Sequence, residues 1–152
     1  AQPQAVRFPV TCRLIPKDLT VGIGCRKGRS GAELLEFLQT VFQKFDLDKR
    51  RIACFASISL KEKEAGILEL AFAERAPFLT FTAQELEAVP GKFEASGFVR
   101  KTVGVDNVCE RAAVLGSGGG RLLVPRQAAG GITIAAAQRM PVIRFYRNDK
   151  GN

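Results

Sequence analysis

A glycine-rich segment with three cations is the part of the sequence best suited to receive an anion. It follows an apolar run and contains Gly22, Gly24, Cys25, Arg26, Lys27, Gly28 and Arg29. Glycines allow backbone N–H groups to approach a ligand closely, and a helix that starts just afterwards adds partial positive charge. The sequence therefore predicts an anion-receiving loop at the C-terminal edge of a strand, where open α/β sheets bind ligands.

Two nucleotide-binding loops match this segment only in part. A P-loop has Gly-Lys followed by Ser or Thr, and the sequence contains no such triplet. A dinucleotide-binding loop has the spacing Gly-x-Gly-x-x-Gly and an acid at the end of the next strand, whereas Asp46 and Asp48 precede that strand here. Nucleotide binding is thus disfavoured, and a tight turn with solvated cations is the alternative to an anion site.

A second helix start is predicted near residue 107 and offers another place for an anionic ligand. Gly104, Asp106 and Asn107 form a turn there, and Glu110 follows one helical turn later. Asn107 and Glu110 also fit a capping box. A structural role for Glu110 is therefore favoured over that of a catalytic base.

Other side chains near the first loop have competing interpretations. Lys61 and Lys63 follow the second predicted strand and can share the sheet edge with the loop, or lie on solvated surface. Neighbouring cations lower a thiol pKa, so Cys25 is a candidate reactive thiol, although packing is favoured because it has no base partner. Glu69 is interpreted as an ordinary residue on a helix face.

Composition excludes several classes of site. The sequence has no histidine, which rules out Ser-His-Asp and Cys-His catalysis and histidine metal ligation, and we predict no protein-held metal. Its four cysteines form no Cys-x-x-Cys pair, and no secretory signal is visible. Reduced thiols and a cytoplasmic location are expected. No apolar run approaches the ~20 residues of a membrane span.

The charge distribution favours an anionic partner. The formal net charge is +8 over 152 residues, and both ends of the sequence are basic while the middle is slightly acidic. Such a field steers anions towards the protein. Charge alone fits nucleic acid as well as a small polycarboxylate, but the cations are not interleaved with aromatics and no nucleic-acid motif is present. Nucleic acid is therefore the disfavoured partner.

Alternating apolar strands and amphipathic helices predict an α/β fold. We expect three α/β/α layers around a mostly parallel or mixed sheet of about five strands, at 19–24, 52–58, 78–81, 122–125 and 132–137. Capping boxes predict helix starts at Ser30, Ser59 and Thr82. The chain divides into an N-terminal arm at 1–17, one domain at 18–140 and a basic tail at 141–152.

An ordered set of motifs resembles one known family. The set begins with the 22–28 loop and continues through 56–61, 64–71, 81–86, 103–113, 123–125 and 132–135. In this order and spacing the motifs resemble the C-terminal domain of the cobalamin biosynthesis protein CbiG and its stand-alone relative CobE. The resemblance covers roughly residues 19–138 and implies a three-layer α/β domain.

The resemblance implies a role in anaerobic vitamin B12 synthesis. CbiG is the cobalt-precorrin-5A hydrolase, which opens a ring δ-lactone, releases acetaldehyde and gives cobalt-precorrin-5B. Its substrate is a cobalt-containing polycarboxylate tetrapyrrole, so no cofactor is expected. The substrate-binding candidates are then Gly22, Gly24, Cys25, Arg26, Lys27, Gly28, Gly104, Asp106 and Asn107.

For the hydrolysis itself, Glu110 is the candidate base and Lys61 or Arg26 the candidate oxyanion partner. CbiG has further N-terminal regions that this sequence lacks, and these, with other pathway enzymes, are candidate partners. A tetrapyrrole-binding module without its own catalysis, as in CobE, is the first alternative. A basic nucleic-acid-binding domain is the second.

Overall fold

A computed structural model of the chain describes residues 12–93 and 107–141. In these residues five strands and four α-helices alternate for most of the chain. In chain order they are β1 (Leu19–Cys25), α1 (Gly31–Lys44), β2 (Ile52–Ile58), α2 (Ala65–Ala73), β3 (Phe78–Phe81), α3 (Ala83–Glu87), α4 (Val108–Gly116), β4 (Arg121–Ala129) and β5 (Ile132–Gln138). Short 3₁₀ helices at Lys49–Arg51 and Ser59–Lys61 flank β2.

The strands form one mixed sheet in the order β3-β2-β1-β5-β4. Strands β1, β2 and β3 are parallel, and β5 runs antiparallel to both β1 and β4. The edge at which β1, β2 and β3 end is called the C-terminal edge below. Strand β1 lies at the centre of the sheet. Its apolar run is buried, as expected for a strand covered on both faces.

Helices cover both faces of the sheet, which confirms the predicted α/β fold. Alternate residues of β1, including Val21 and Ile23, pack in one cluster with the apolar stripes of α1 and α2. Helix α4 packs on the opposite face through Ala112 and Ala113. The period of two along β1 thus sends neighbouring residues into different helical layers.

Of the three capping boxes predicted at Ser30, Ser59 and Thr82, two are confirmed. Ser30 with Glu33 starts α1, and Thr82 with Glu85 starts α3. The third prediction was wrong, since the chain after Ser59 closes into a 3₁₀ helix and α2 begins at Ala65. The N–H groups of residues 62 and 64 donate three residues back, which satisfies this short turn before the helix starts.

Strand β4 is longer than predicted because an edge strand tolerates the proline in its middle. Pro125 lies where the register between β4 and β5 shifts, and the strand resumes to Ala129 before the Gly130–Gly131 turn. Gly104 and Asp106, and most of the predicted arm and tail, lie outside the described residues. The predicted domain boundaries therefore stay a prediction.

Candidate functional site

The β1–α1 loop lies at the C-terminal edge, as the sequence predicted. Arg26, Lys27 and Gly28 are exposed, and Gly28 has a φ of 85°, a conformation that favours glycine. The Arg26 N–H donates to the Gly131 carbonyl at 2.8 Å, and the Arg26 side chain lies against the Cα of Gly131. The loop is thereby fastened to the β4–β5 turn.

Three carboxylates of the protein itself already occupy N–H groups of this loop. The Ser30 N–H donates to Glu33 at 2.8 Å. The Gly28 N–H donates to Glu64 Oε1 at 3.1 Å, and the Gly31 N–H donates to Glu69 Oε2 at 2.9 Å. These groups are the anion-receiving donors at and just before a helix N-terminus. Here Glu33 of α1, Glu64 just before α2 and Glu69 in the middle of α2 satisfy them.

The role of Glu69 corrects its interpretation as an ordinary helix-face residue. Its carboxylate joins α2 to the first turn of α1. A Cβ at Gly31 would lie 2.7 Å from the Glu69 Cβ, so the helices approach closely at this point. The sequence signal was a lone acid in an otherwise apolar helix.

Two cations of the loop have no acidic partner among the described carboxylates. Arg29 pairs with Glu33 at 3.0 Å, and Lys61 pairs with Glu64 at 3.5 Å. No ion pair to a described acid is formed by Arg26 or Lys27. Because the N–H groups of residues 26, 28, 30 and 31 already have acceptors in the protein, the exposed side chains of Arg26 and Lys27 are the strongest groups of the loop available to an external anion.

Cys25 does not have the activated thiol that its cationic neighbours suggested. Burial raises the pKa of this thiol, and this effect outweighs the lowering by Lys61 and Arg29. The residue packs against the core cluster on the α1–α2 side. The packing role is therefore favoured over a nucleophile.

Glycine at position 22 is explained by helix packing. A Cβ there would overlap the backbone carbonyl of Cys109 in α4, and Gly22 is buried. At Gly24 a Cβ would meet only the Thr133 hydroxyl, at 2.6 Å. The substrate contacts predicted for these two glycines are not needed to account for them, and they stay predictions.

At the start of α4, one of the two hydrogen bonds of the predicted capping box is formed. Asn107 has a left-handed backbone, with φ 48°, and its Oδ1 accepts from the Glu110 N–H at 3.3 Å. The reciprocal bond from Glu110 is replaced, because its carboxylate accepts instead from the Arg126 N–H at 2.7 Å. The Asn107 Nδ2 is buried and has no hydrogen-bond partner in the described part of the chain.

Glu110 is buried at 2% exposure and holds α4 to β4. Close by, Cys109 donates to Asn107 Oδ1 at 3.4 Å, and burial raises the pKa of its thiol to about 12. Glu110 thus has a structural partner, as the sequence favoured. A role as catalytic base stays a prediction.

The structure places the two predicted catalytic residues on different faces of the sheet. Lys61 contacts Glu64 on the face of α1 and α2, beside Cys25. Glu110 belongs to α4, which covers the other face through Gly22. A substrate that contacts both residues must therefore span the C-terminal edge of β1.

Within residues 12–93 and 107–141, no three Cys, Asp or Glu side chains form a group suited to hold a metal. No helix in these ranges has the length and apolarity needed to cross a membrane. Fold and site together define a three-layer α/β domain with an exposed cationic loop at the C-terminal edge of its sheet.

Comparison with known proteins gives the family. The family model described as "Cobalamin synthesis G C-terminus" matches residues 19–137, and the chain belongs to this family. The sequence is 39% identical to the cobalt-precorrin-5A hydrolase of Salmonella typhimurium and 31% identical to that of Priestia megaterium, in each case over 80% of the chain. These matches cover 34% and 32% of the two relatives, so the chain spans about a third of their length.

A solved structure of CobE, a protein of the cobalamin biosynthetic pathway, has the same fold. The TM-score is 0.74 at 27% identity, and the match covers 80% of this chain and 90% of the CobE chain. The resemblance inferred from the motifs is therefore confirmed.

Proposed function

We propose that the chain acts in cobalamin biosynthesis as the C-terminal domain of a cobalt-precorrin-5A hydrolase, binding the polycarboxylate tetrapyrrole at the C-terminal edge of its sheet. The full reaction opens the ring δ-lactone, releases acetaldehyde and gives cobalt-precorrin-5B. The observation that carries the proposal is the pair of exposed cations, Arg26 and Lys27, at the binding edge of a family domain. Guanidinium and ammonium groups bind carboxylates through charge-assisted hydrogen bonds.

In this proposal the protein supplies charge and position. Arg26 and Lys27 bind acetate or propionate groups of the macrocycle. Lys61 or Arg26 stabilises the lactone oxyanion, and Glu110 activates the water. Cobalt enters as part of the substrate, no cofactor is required, and the reaction takes place in the cytoplasm.

One observation favours a second candidate function, a binding module whose chemistry is completed elsewhere in the protein. Glu110 is buried and its carboxylate is bonded to the Arg126 N–H. A general base must reach the water that it activates. In this alternative the same edge holds the tetrapyrrole, and the region that precedes the domain in the longer relatives performs the hydrolysis.

The first test is a visible-absorbance titration with a cobalt corrinoid polycarboxylate. We expect the wild type to bind and the Arg26→Ala/Lys27→Ala variant to lose most of its affinity. The variant Arg121→Ala/Arg139→Ala removes the same charge from the opposite edge and should bind like the wild type. Equal affinity of all three proteins would refute the loop as the binding site.

The second test separates enzyme from binding module. Acetaldehyde is assayed after cobalt-precorrin-5A is supplied to the wild type and to Glu110→Gln. The Gln side chain can still accept the Arg126 N–H bond, so the fold is retained. If the wild type releases acetaldehyde and Glu110→Gln does not, Glu110 is assigned as the base. Equal release by both removes Glu110 from the chemistry, and binding without release favours the module.

A further inference from the structure

Helix α2 is apolar around most of its circumference. Its sequence, Ala65–Ala73, contains a single charged residue, Glu69, whose carboxylate is bonded to the Gly31 N–H. Ile67, Leu70 and Ala71 face the core. A helix that is apolar on all sides is normally buried on all sides. Among the residues that the structure describes, however, none covers one side of α2, whose residues there are exposed.

The most exposed aromatic side chain among the described residues lies on this uncovered side. Phe72 is 88% exposed and Leu68 is 45% exposed, and side chains four residues apart are neighbours on a helix surface. The exposed Ala65 and Ala73 continue this surface.

A shallow groove of about 250 Å³ extends the surface from α2 onto the start of α1. Its lining residues include Ala32 and Leu35 of α1 and Glu69 and Ala73 of α2. The uncovered side of α2 and this groove are called the α2 face, which comprises Ala65, Leu68, Glu69, Phe72, Ala73, Ala32 and Leu35. It is apolar except for Glu69, whose carboxylate accepts from the Gly31 N–H. Contiguous exposed apolar surface of this kind marks an interaction site.

We propose that the α2 face is the docking surface for the polypeptide that precedes this domain in cobalt-precorrin-5A hydrolases. The matched family is by description a C-terminal one, and the chain spans about a third of its curated relatives. In those proteins a polypeptide roughly twice as long as the matched segment adjoins the domain. An aromatic anchor surrounded by small residues is the pattern of an interface centre.

The path of the chain places that polypeptide next to the α2 face. The Asp18 N–H donates to the Arg51 carbonyl at 3.0 Å, so the chain enters β1 beside the connector between α1 and β2. From this connector Lys49 reaches Glu74 at 2.7 Å, and Glu74 directly follows α2. The described chain therefore enters the fold near the end of α2 that carries Phe72, and this is the side on which the preceding polypeptide is proposed to dock.

The test measures side-chain exposure by hydroxyl-radical footprinting in two proteins. One is this chain alone, and the other is the Salmonella relative with its matched third replaced by this chain. We expect oxidation of Phe72 and Leu68 to fall several-fold in the longer protein, while that of Leu79, on the other face of β3, stays unchanged. Equal oxidation of Phe72 in both proteins would overturn the proposal.

A binding measurement covers the case in which the longer protein does not fold. The Salmonella relative truncated before its matched third is titrated with this chain, and Phe72→Glu should weaken binding about tenfold or more. Leu79→Glu is the control and should bind like the wild type. Lack of binding by the wild type would refute the proposal. Concentration-dependent self-association that Phe72→Glu abolishes would also refute it, and would assign the face to a second copy of this chain.

Discussion

Gly22 and Gly24 lie two positions apart in β1 but meet different constraints. The Cys109 carbonyl of α4 sits directly over Gly22, whereas Gly24 faces the rotatable hydroxyl of Thr133. Backbone cannot move aside without shifting a helix, whereas the Thr133 oxygen can move away by rotation of its side chain about χ1. The same glycine pattern in the sequence therefore has two physical explanations.

We predict that Gly22→Ala is strongly destabilising and Gly24→Ala is not. Overpacking a core lowers the free energy of unfolding by about 1–3 kcal/mol, and the added methyl group at position 22 should reach or exceed the upper end of that range. At position 24 the cost should stay near about 0.5 kcal/mol. The free energy of unfolding in urea measures both variants. Similar losses at the two positions would show that α4 does not press on Gly22.

Glu64 places a negative charge inside the candidate binding loop. Its carboxylate is held by the Gly28 N–H and by Lys61, which are groups that a substrate carboxylate would also use. The internal acid therefore competes with an external one for the same donors, and it repels the external one through charge.

We predict that Glu64→Gln tightens binding of a cobalt corrinoid polycarboxylate about threefold, since one exposed charge interaction is worth up to about 1 kcal/mol. Gln keeps an acceptor for the Gly28 N–H. The absorbance titration measures the change. Glu87→Gln on α3 alters net charge equally and serves as the control, so an equal gain there would attribute the effect to net charge alone.

At the scale of elements, Asp18 ties three strands together at the edge opposite the candidate site. Its carboxylate accepts two hydrogen bonds from Arg51, just before β2, and one from Gln138 of β5. Its backbone bonds Arg51 and Arg139. The hydrogen bonds from Arg51 hold the pKa of Asp18 below its usual range.

This lowered pKa predicts a pH dependence of stability. A carboxyl whose pKa is lower in the folded state stabilises the fold above its unfolded pKa of about 3.9, and the stabilisation is lost as pH falls through the folded pKa. Asp18→Asn should therefore cost about 1.5 kcal/mol at pH 7, with the difference from wild type shrinking below about pH 4. Urea unfolding at several pH values measures it, with Asp46→Asn as the control.

Helix α2 shows why element boundaries need tertiary information. Ser59 and Glu62 have the right spacing for a capping box, and the sequence alone predicts a helix from there. The 3₁₀ turn at Ser59–Lys61 instead leaves Glu64 to reach Gly28 across the C-terminal edge. Glu64 is the residue just before α2, so this long-range contact coincides with the start of the helix, and no local pattern encodes it.

At the scale of the whole molecule, net charge and its distribution control binding at long range. The chain carries a formal net charge of +8, and the exposed Arg26 and Lys27 lie at the candidate edge. Interactions among exposed charges are screened beyond ~10 Å at 0.1 M salt.

We predict that corrinoid polycarboxylate affinity falls about tenfold between roughly 0.05 and 0.5 M salt. The Arg26→Ala/Lys27→Ala variant should show a clearly shallower dependence. Titrations at a series of salt concentrations measure both slopes. A salt-independent affinity would mean that apolar contact with the macrocycle, rather than charge, provides the binding energy.

Residue patterns along the chain were enough to predict the α/β alternation, four of the five strands nearly to the residue, two helix caps and the family. These features follow from periodicity, capping residues and ordered motifs, all of which are local along the chain. The same patterns also pointed to the C-terminal edge of β1 as the binding edge, because glycines, cations and a helix start coincide there.

Which groups at that edge are still available follows from contacts that form when the chain folds. Glu64 and Glu69 are remote in sequence from the loop whose N–H groups they satisfy. Burial raised the Cys25 pKa despite its cationic neighbours. The structure also placed Lys61 and Glu110 in different helical layers. Hydrogen-bond partners, burial and the face of a sheet are set by contacts distant in sequence, so the residue pattern specifies the candidates and folding selects among them.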